Sequence, residues 1–562
     1  MKSFIFILFL ISHTFLFRNA LCQTPFITAN FPVIADSFCT AGFRSAAPLI
    51  TDLNLDGKKE IIVAVNSCYP SRLHVIQSNG QNLPGFPVTI WGKPLATACG
   101  DINGNGLLEI VIRQYDSLIV ITNDGDIMSG FPIYFRAPDA FSIVSIYDLD
   151  NDGKLEIITY GNGNVGVFNF NGTMKQGWPV TVIGTPMGSI SIGDLDNDGF
   201  AEIIFPSASR TTPPSNGRLN IYRYNGTNFP NWPQLYDSNY SSWFSGAAVK
   251  INKNNIDSTT LSITSKRYSG ADPDLNRTTV YDTYGNIKIR FYDTTYNPLN
   301  GVYPVNIITS LPGDEYCTGS QDPQIYLHGN NGMLLPDWPQ RGYGLPTSPP
   351  LFGKVVLSEG LKIITTENWT SNSNGFIYGY NGDGSQLPWS PLRPLGVVSS
   401  IAFTDFENDG NAELVAVTNQ FMRAYIHCYT FPGVAFTKEN FTWTMYGHDR
   451  YRTFQYGFIP PDEPIGILPI SNIIPDRFIL DQNYPNPFNP ATNIKFSIPA
   501  SHDVKIAVYD ILGRELTVLV NEKLMPGEYN VSWDASGFSS GIYFYKLEAG
   551  SFIATKKMIL MK

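Results

Sequence analysis

One nine-residue phrase is written five times in this chain, and its spacing limits the fold more than any other feature. It places Asp first, an amide or carboxylate third, Asp or Asn fifth, Gly sixth and Glu ninth, with an apolar run behind. The copies are Asp52–Glu60 (with Asn54 and Asp56), Asp101–Glu109 (Asn103, Asn105) and Asp148–Glu156 (Asp150, Asp152). Two more are Asp194–Glu202 (Asp196, Asp198) and Asp405–Glu413 (Glu407, Asp409). Oxygen donors at alternate positions, a glycine for the sharp turn and a late carboxylate are what a hard cation such as calcium requires. The first four copies begin at 52, 101, 148 and 194, a period of just under fifty residues. The gap to Asp405 has room for about four further units.

Degenerate copies stand where that period puts them. Gly246–Ile251, followed by Asn252 and Asn254, reads as a unit that has lost its carboxylates. Lys362–Thr366 matches the strand behind the loop in other units, and Val305–Thr309 marks a further, less legible one. A second mark keeps the same register: an aromatic residue and then proline, at Phe86-Pro87, Phe131-Pro132, Trp178-Pro179, Trp232-Pro233 and Trp338-Pro339, with Trp389 and Pro391 as a variant. Asn-Gly and Asp-Gly pairs before these marks predict tight hairpins, and a proline without an N–H predicts outer, edge strands. Small and apolar residues lie upstream of each loop (Ala96–Gly100, Ser189–Gly193, Ser400–Thr404) and continuous apolar runs downstream (Ile61–Val65, Ile203–Phe205, Leu414–Val417). Four short strands per unit predict an all-β chain: a β-propeller of seven to eight four-stranded blades, eight favoured, over residues 24–456. A linear solenoid is the rival arrangement.

The bulk properties agree. The 562 residues exceed one ordinary domain, and 43% apolar content supplies real cores. Charged residues are only 15%, while 49 Gly, 40 Pro and 13% aromatics suit short strands and turns. A net charge of −10 without a basic cluster excludes a nucleic-acid binder. Residues 1–22 read as a signal peptide: Lys2, an apolar run over Phe4–Ile11, and Ala20 and Cys22 placed for cleavage after Cys22. Lipidation of Cys22 and a retained anchor are the alternatives, and no other stretch predicts a transmembrane segment. Of the remaining cysteines, Cys39 and Cys68 could pair in an oxidising compartment, and Cys99 suits a buried strand position.

These residues resemble the FG-GAP and VCBS repeat families, the calcium-loop propellers typified by the head of integrin α chains, over about residues 30–456. The resemblance implies calcium ligands at positions one, three, five, seven (through its carbonyl) and nine. They would be Asp52, Asn54, Asp56, Lys58 and Glu60; Asp101, Asn103, Asn105, Leu107 and Glu109; and Asp148, Asp150, Asp152, Lys154 and Glu156. The fourth and fifth sets would be Asp194, Asp196, Asp198, Phe200 and Glu202, and Asp405, Glu407, Asp409, Asn411 and Glu413. Carboxylate count ranks loops three, four and five above loop one, with loop two weakest; Glu407 lengthens the third ligand of loop five. With no nucleophile or open position beside them, the ions are expected to staple the fold rather than act. Trp443–Asp449 resembles the cap that follows a last blade in such proteins.

Two catalytic patterns are matched only by letters. Gly161–Gly166 fits a dinucleotide fingerprint and Gly537–Gly541 a nucleophile elbow, but neither precedes a helix, so both read as turns. The pair His448-Asp449 would point to opposite faces of a strand and suits capping better than catalysis. Tyr236, Tyr240, Trp243 and Tyr268 offer rings that could meet sugars or proteins.

Residues 457–477 read as a Pro-rich linker, and 478–562 as a small β-sandwich with strands near 493–498, 504–509, 528–533, 542–547 and 553–558. Gln482–Pro490, Val508–Gly513, Ser540–Tyr545 and the ending Lys556–Lys562 closely resemble the type A C-terminal sorting domain of the type IX secretion system. That resemblance implies the secretion machinery as a partner and a secreted or outer-surface protein. Together these readings predict a calcium-stabilised, non-catalytic binding or adhesion module for an extracellular protein or carbohydrate. The alternative is a lyase-like, polysaccharide-active enzyme, which needs a Lys/Arg/Tyr/His cluster at the axial mouth; a purely structural surface-layer component is a third possibility.

Overall fold

The computed structural model describes residues 25–561. It leaves aside 38–46, 66–69, 138–142, 209–216, 236–239, 242–246, 252–258, 268–274, 309–313, 342–347, 369–374, 461–468 and several stretches of one to three residues. The signal peptide, Cys39, Cys68, Asn252, Asn254, Tyr236, Trp243 and Tyr268 lie outside the described residues, as does the side chain of Tyr240. No described helix is long and apolar enough to cross a membrane.

Among the described residues eight sheets form from 26–456, each built on antiparallel neighbours, and one of them gains a late parallel strand. Blade one shows the plan: Leu49–Thr51 innermost, then Glu60–Val65, Ser71–Ile76 and the outer Val88–Ile90. All six residues of Glu60–Val65 are buried, because this second strand has neighbours on both faces; that is why it reads as an unbroken apolar run rather than an alternation. Blades two, three and four begin at Pro94–Gly100, Val144–Tyr147 and Thr185–Pro186 with Ser191–Gly193. The degenerate units are blades as well: five begins its inner strand at Ala247–Lys250, six at Pro298–Val305 and seven at Leu351–Gly353. Blade eight joins Val397–Thr404, Asn411–Gln420 and Arg423–Ala435 to Phe26–Ile27 and Val33–Ser37 from the other end of the chain. The ring is therefore closed by strand pairing, and the count is eight. Phe31-Pro32 enters this outer strand, a sixth aromatic–proline pair beyond the five read from sequence.

Inner strands meet in succession from Val397–Thr404 through Leu49–Thr51 and Pro94–Gly100 to Val144–Tyr147. Ala201 N then donates to Leu149 O at 3.3 Å, and Ser191–Gly193 meets Ala247–Lys250, which meets Pro298–Val305. Tyr303 then packs on Phe352 at 6.3 Å, and Leu351–Gly353 leads back to Val397–Thr404. The strands entered by the marks, such as Val88–Ile90, Ile133–Tyr134, Val180–Thr181, Gln234–Leu235 and Gln340–Arg341, are edge strands, which suits a proline without an N–H. Their indoles staple the next blade: Trp178 Nε1 donates to Tyr224 O at 2.9 Å, Trp232 Nε1 to Thr283 O at 3.0 Å and Trp338 Nε1 to Gly382 O at 2.9 Å. Blade five has no such mark. Its junction to blade six uses a buried polar pair instead, His328 Nε2 and Asp293 Oδ1 at 2.7 Å, with Thr318 Oγ1 donating to Asp293 Oδ2 at 2.8 Å.

After blade eight the chain threads the axis of the ring. Phe441–Trp443 pairs with Leu351–Gly353, and Phe403 N then donates to Thr444 O. Cys99 N, Ile146 N and Ile192 N donate to Arg450 O, Tyr451 O and Thr453 O at 2.9, 2.9 and 3.0 Å. Gln455–Tyr456 finally runs parallel to Ala247–Lys250. The buried Arg452 guanidinium donates to Thr97 O, Ala47 O and Pro48 O. The expected cap is thus an axial plug. His448 and Asp449 are not strand neighbours facing apart: His448 has φ 78°, and its Nδ1 meets Asp449 Oδ2 at 3.2 Å inside a turn. Asp449 also accepts Tyr451 N and the Thr453 hydroxyl, so the pair shapes the plug.

The C-terminal residues form two four-stranded sheets around one core that includes Ile494, Phe496, Ile506, Trp533 and Tyr545. Glu515–Leu524 is an edge strand not anticipated from the sequence. Pro469–Ser471, inside the segment read as linker, pairs with Gly527–Asp534; even a proline suits that place, because the strand is at an edge. The Gln482–Pro490 motif wraps the sandwich: Tyr545 hydroxyl donates to Asp481 O at 2.7 Å, and Asn483 donates to Thr492 Oγ1 at 2.9 Å.

Candidate metal centres

Each loop joins the end of an inner strand to the start of the buried second strand, and all five copies adopt one frame. The first Asp accepts the N–H groups of residues five and six at 2.7–3.1 Å. The fifth residue accepts the N–H of the seventh (Lys58, Leu107, Lys154, Phe200 or Asn411) at 2.8–2.9 Å. The closing Glu reaches back to the N–H of residue two at 2.7–3.0 Å. Glycine is needed at position six, where φ is 82–92°. Position four is also left-handed, occupied by Leu55, Gly104, Asn151, Asn197 and Asn408. Asn151 donates to Gly199 O of the next loop, and Asn408 donates to Gly57 O. Neighbouring loops are therefore tied across blade junctions, which the repeat alone did not reveal.

This frame leaves several carboxylate oxygens unused. Asp150 Oδ1, Asp196 Oδ1, Glu202 Oε1 and Glu413 Oε1 are buried without a hydrogen-bond partner. Burial pushes the acids of Glu60, Glu202 and Glu413 up to about 8 and of Asp52 to about 6, with backbone N–H donors opposing and neighbouring carboxylates adding to the rise. Glu156 reaches about 7, with Lys175 among the groups that hold it down. Negative oxygens gathered out of water with too little positive charge fit a divalent cation.

Convergence differs between loops. Asp148, Asp150 and Glu156 bring ligand oxygens within 4.8 Å of one another, as do Asp194, Asp196 and Glu202. Asp152 and Asp198 stand outside these trios, capping backbone N–H groups. Among the described residues, the carboxylates of loops one, two and five do not converge this closely. Asn54 or Asn103 takes the third position in two of them, and Glu407 is exposed in the third. In loop two, Asn103 donates to Glu109 Oε1 at 3.1 Å. Two cations missed from sequence reach these loops. Lys175 Nζ lies 2.6 Å from Asp150 and 3.1 Å from Glu156, and Arg223 lies 2.6 Å from Asp196 and 2.8 Å from Asp198.

The degenerate blades show what else the position can hold. In blade six Glu315 still caps Ile307 N at 2.7 Å. In blade seven the register Gly353↔Lys362, equivalent to Gly193↔Glu202, puts a buried lysine where the closing Glu stands. The dinucleotide-like letters Gly161–Gly166 form a hairpin turn at Asn162-Gly163 between two strands.

Residues 101–159 and 148–205 match the FG-GAP-like repeat family, and residues 482–561 match the secretion system C-terminal sorting domain. No curated protein matches the chain. Among solved structures it is similar to the Dos1 propeller, at 12% identity over 74% of this chain and 96% of that one, with a TM-score of 0.46. It is also similar to the biofilm matrix protein Bap1 of V. cholerae, at 13% identity over 75% and 94%, TM-score 0.38. A third is PorZ, a surface component of the type IX secretion system of Porphyromonas gingivalis, at 12% identity over 90% and 74%, TM-score 0.20. Fold and repeats define the class: an eight-bladed β-propeller carrying FG-GAP-like repeats. Its C-terminal sandwich is a type IX sorting domain, which marks the chain for export to the cell surface or the medium.

Proposed function

We propose that this is an exported, calcium-stapled propeller that acts as a non-catalytic binding or adhesion module at or outside the cell surface. The observation that carries the calcium part is the set of buried, unpartnered oxygens of Asp150, Asp196, Glu202 and Glu413 inside acidic loops. Bound calcium would supply the missing positive charge and cross-link strand ends. The ligand sets are those named for the five loops, from Asp52–Glu60 to Asp405–Glu413. Because Asn151 and Asn408 tie loop to loop, stiffening one loop steadies the next blade. Residues 1–22 are proposed as the signal peptide, 24–456 as the propeller and 478–562 as the core of the sorting domain, with the edge strand Pro469–Ser471 attached to it.

Binding is favoured over lyase-like chemistry by the axial plug. It carries His448, Arg450, Tyr451 and Arg452, the residue types such an enzyme would gather, but all four are buried. Arg452 is spent on backbone carbonyls and His448 on Asp449, so these groups are not presented to a polymer. The deciding experiment is to screen the purified propeller on polysaccharide and matrix-protein arrays, with calcium and with chelator. Retained binding without turnover of any bound polymer supports the reading; cleavage of a bound polysaccharide ends it.

A further inference from the structure

Loop three has an occupant of its own. In an antiparallel four-stranded blade the first and third turns lie at the same end of the sheet. The Asn171-Gly172 hairpin of blade three therefore sits beside loop three. From that hairpin Lys175 sends its ammonium to Asp150 Oδ2 at 2.6 Å and Glu156 Oε1 at 3.1 Å, two of the three carboxylates that converge there. The lysine side chain is 12% exposed and that of Glu156 3%, so this is no surface pair.

The position has a fixed identity in the fold. Lys175 N donates to Val167 O, and the same bond recurs from Leu83 to Val75, Met128 to Val120, Phe229 to Ile221, Leu335 to Leu327 and Leu387 to Gly379. Five blades fill it with an apolar side chain that covers the blade end. Blade three fills it with a lysine aimed at Asp150 and Glu156.

We propose that Lys175 is a tethered cation: it holds the ligand carboxylates of loop three together without metal, and a divalent ion entering that loop must displace its ammonium. This rests on the reading that the loops bind calcium. An ammonium donates three hydrogen bonds but cannot draw in five oxygens, so calcium remains the better partner and the lysine sets how much is needed. Arg223 differs in kind. It lies on Asp196 and Asp198 and leaves the inner Glu202 Oε1 without a partner. Ranking by carboxylate count therefore overstates loop three, where an ammonium already answers Asp150 Oδ2 and Glu156 Oε1.

The test uses the full exported chain as wild type, Lys175→Met, Lys175→Arg and Glu413→Gln, with calorimetric calcium titration and thermal melts in EDTA and in millimolar calcium. Lys175→Met is expected to bind calcium at one site on the order of tenfold more tightly. It should melt below wild type in EDTA and regain at least the wild-type value with calcium, while Lys175→Arg follows wild type. An unchanged Lys175→Met isotherm, a melting deficit that calcium does not repair, or failure to fold even with calcium overturns the proposal. If Glu413→Gln loses a site while the Lys175→Met isotherm stays unchanged, only the lysine proposal falls. No calcium heat in wild type and all variants removes the calcium reading and this proposal together.

Discussion

The side-chain amide of Asn408 donates to the carbonyl of Gly57 at 2.9 Å, joining the acidic loop of the last blade to that of the first across 351 positions of sequence. The closure of the ring thus has two layers. N-terminal strands complete the last sheet, and its loop grips its neighbour from the end of the blades.

Asn408→Gly tests the second layer. Glycine tolerates the φ of 55° at this position, so the variant deletes the amide without adding backbone strain. It should lower unfolding stability by about 1 kcal/mol, read as a shift of the urea midpoint. An unmoved midpoint means the loop-to-loop bond contributes nothing to closure.

Glu413 and Glu109 should respond unequally to amide substitution. Glu413 Oε1 is buried without a partner, whereas Glu109 Oε1 already accepts from Asn103. Glu413→Gln is expected to abolish one calcium event in a titration, and Glu109→Gln to change the isotherm little. The reverse order would mean that the neutral donors Asn103 and Asn105 make the better site.

The plug should be a major source of stability. Arg452 donates to three carbonyls of blades one and two from a fully buried position. Arg452→Met keeps much of the bulk but orphans those carbonyls, at a cost of about 3 kcal/mol. Chemical denaturation reads this directly, and a loss under half that size would make the plug an ornament of the ring.

Acid should attack blade eight through His427. Burial drives its imidazole down from 6.5 to about 4. The unfolded chain therefore takes up a proton that the folded one refuses, and stability falls as pH drops from 6.5 towards 4, by about 3 kcal/mol in all. The raised acids of Glu60, Glu202 and Glu413 act in the opposite sense, losing stability as pH rises in metal-free protein. His427→Phe isolates the histidine: the stability difference from wild type should shrink or reverse below pH 6.5. A pH-independent difference would show that the imidazole does not titrate on unfolding.

Blade architecture was legible wherever a residue has only one backbone reason to be there. Gly57, Gly106, Gly153, Gly199 and Gly410 announce left-handed turns, and the periodic marks Phe86-Pro87, Phe131-Pro132, Trp178-Pro179, Trp232-Pro233 and Trp338-Pro339 announce edge strands. Degenerate blades could still be placed because Lys362–Thr366 keeps the buried second-strand pattern without its acids. The Asp293–His328 staple was not legible, since its partners lie on different blades and carry no periodic signal. Glu515–Leu524 was passed over because half its alternation is polar, as an edge strand allows.

The order of residues along the chain was enough to determine the five acidic turns, the four-strand unit and the sorting domain, because each is written within a few dozen neighbouring positions. Only the tertiary structure decided that Lys175 rests on Asp150 and Glu156, that Asn408 holds Gly57, and that residues 441–456 fill the axis. Those contacts depend on which strand ends the closed ring brings side by side. That adjacency belongs to the whole ring of sheets and is spelled out in no single segment.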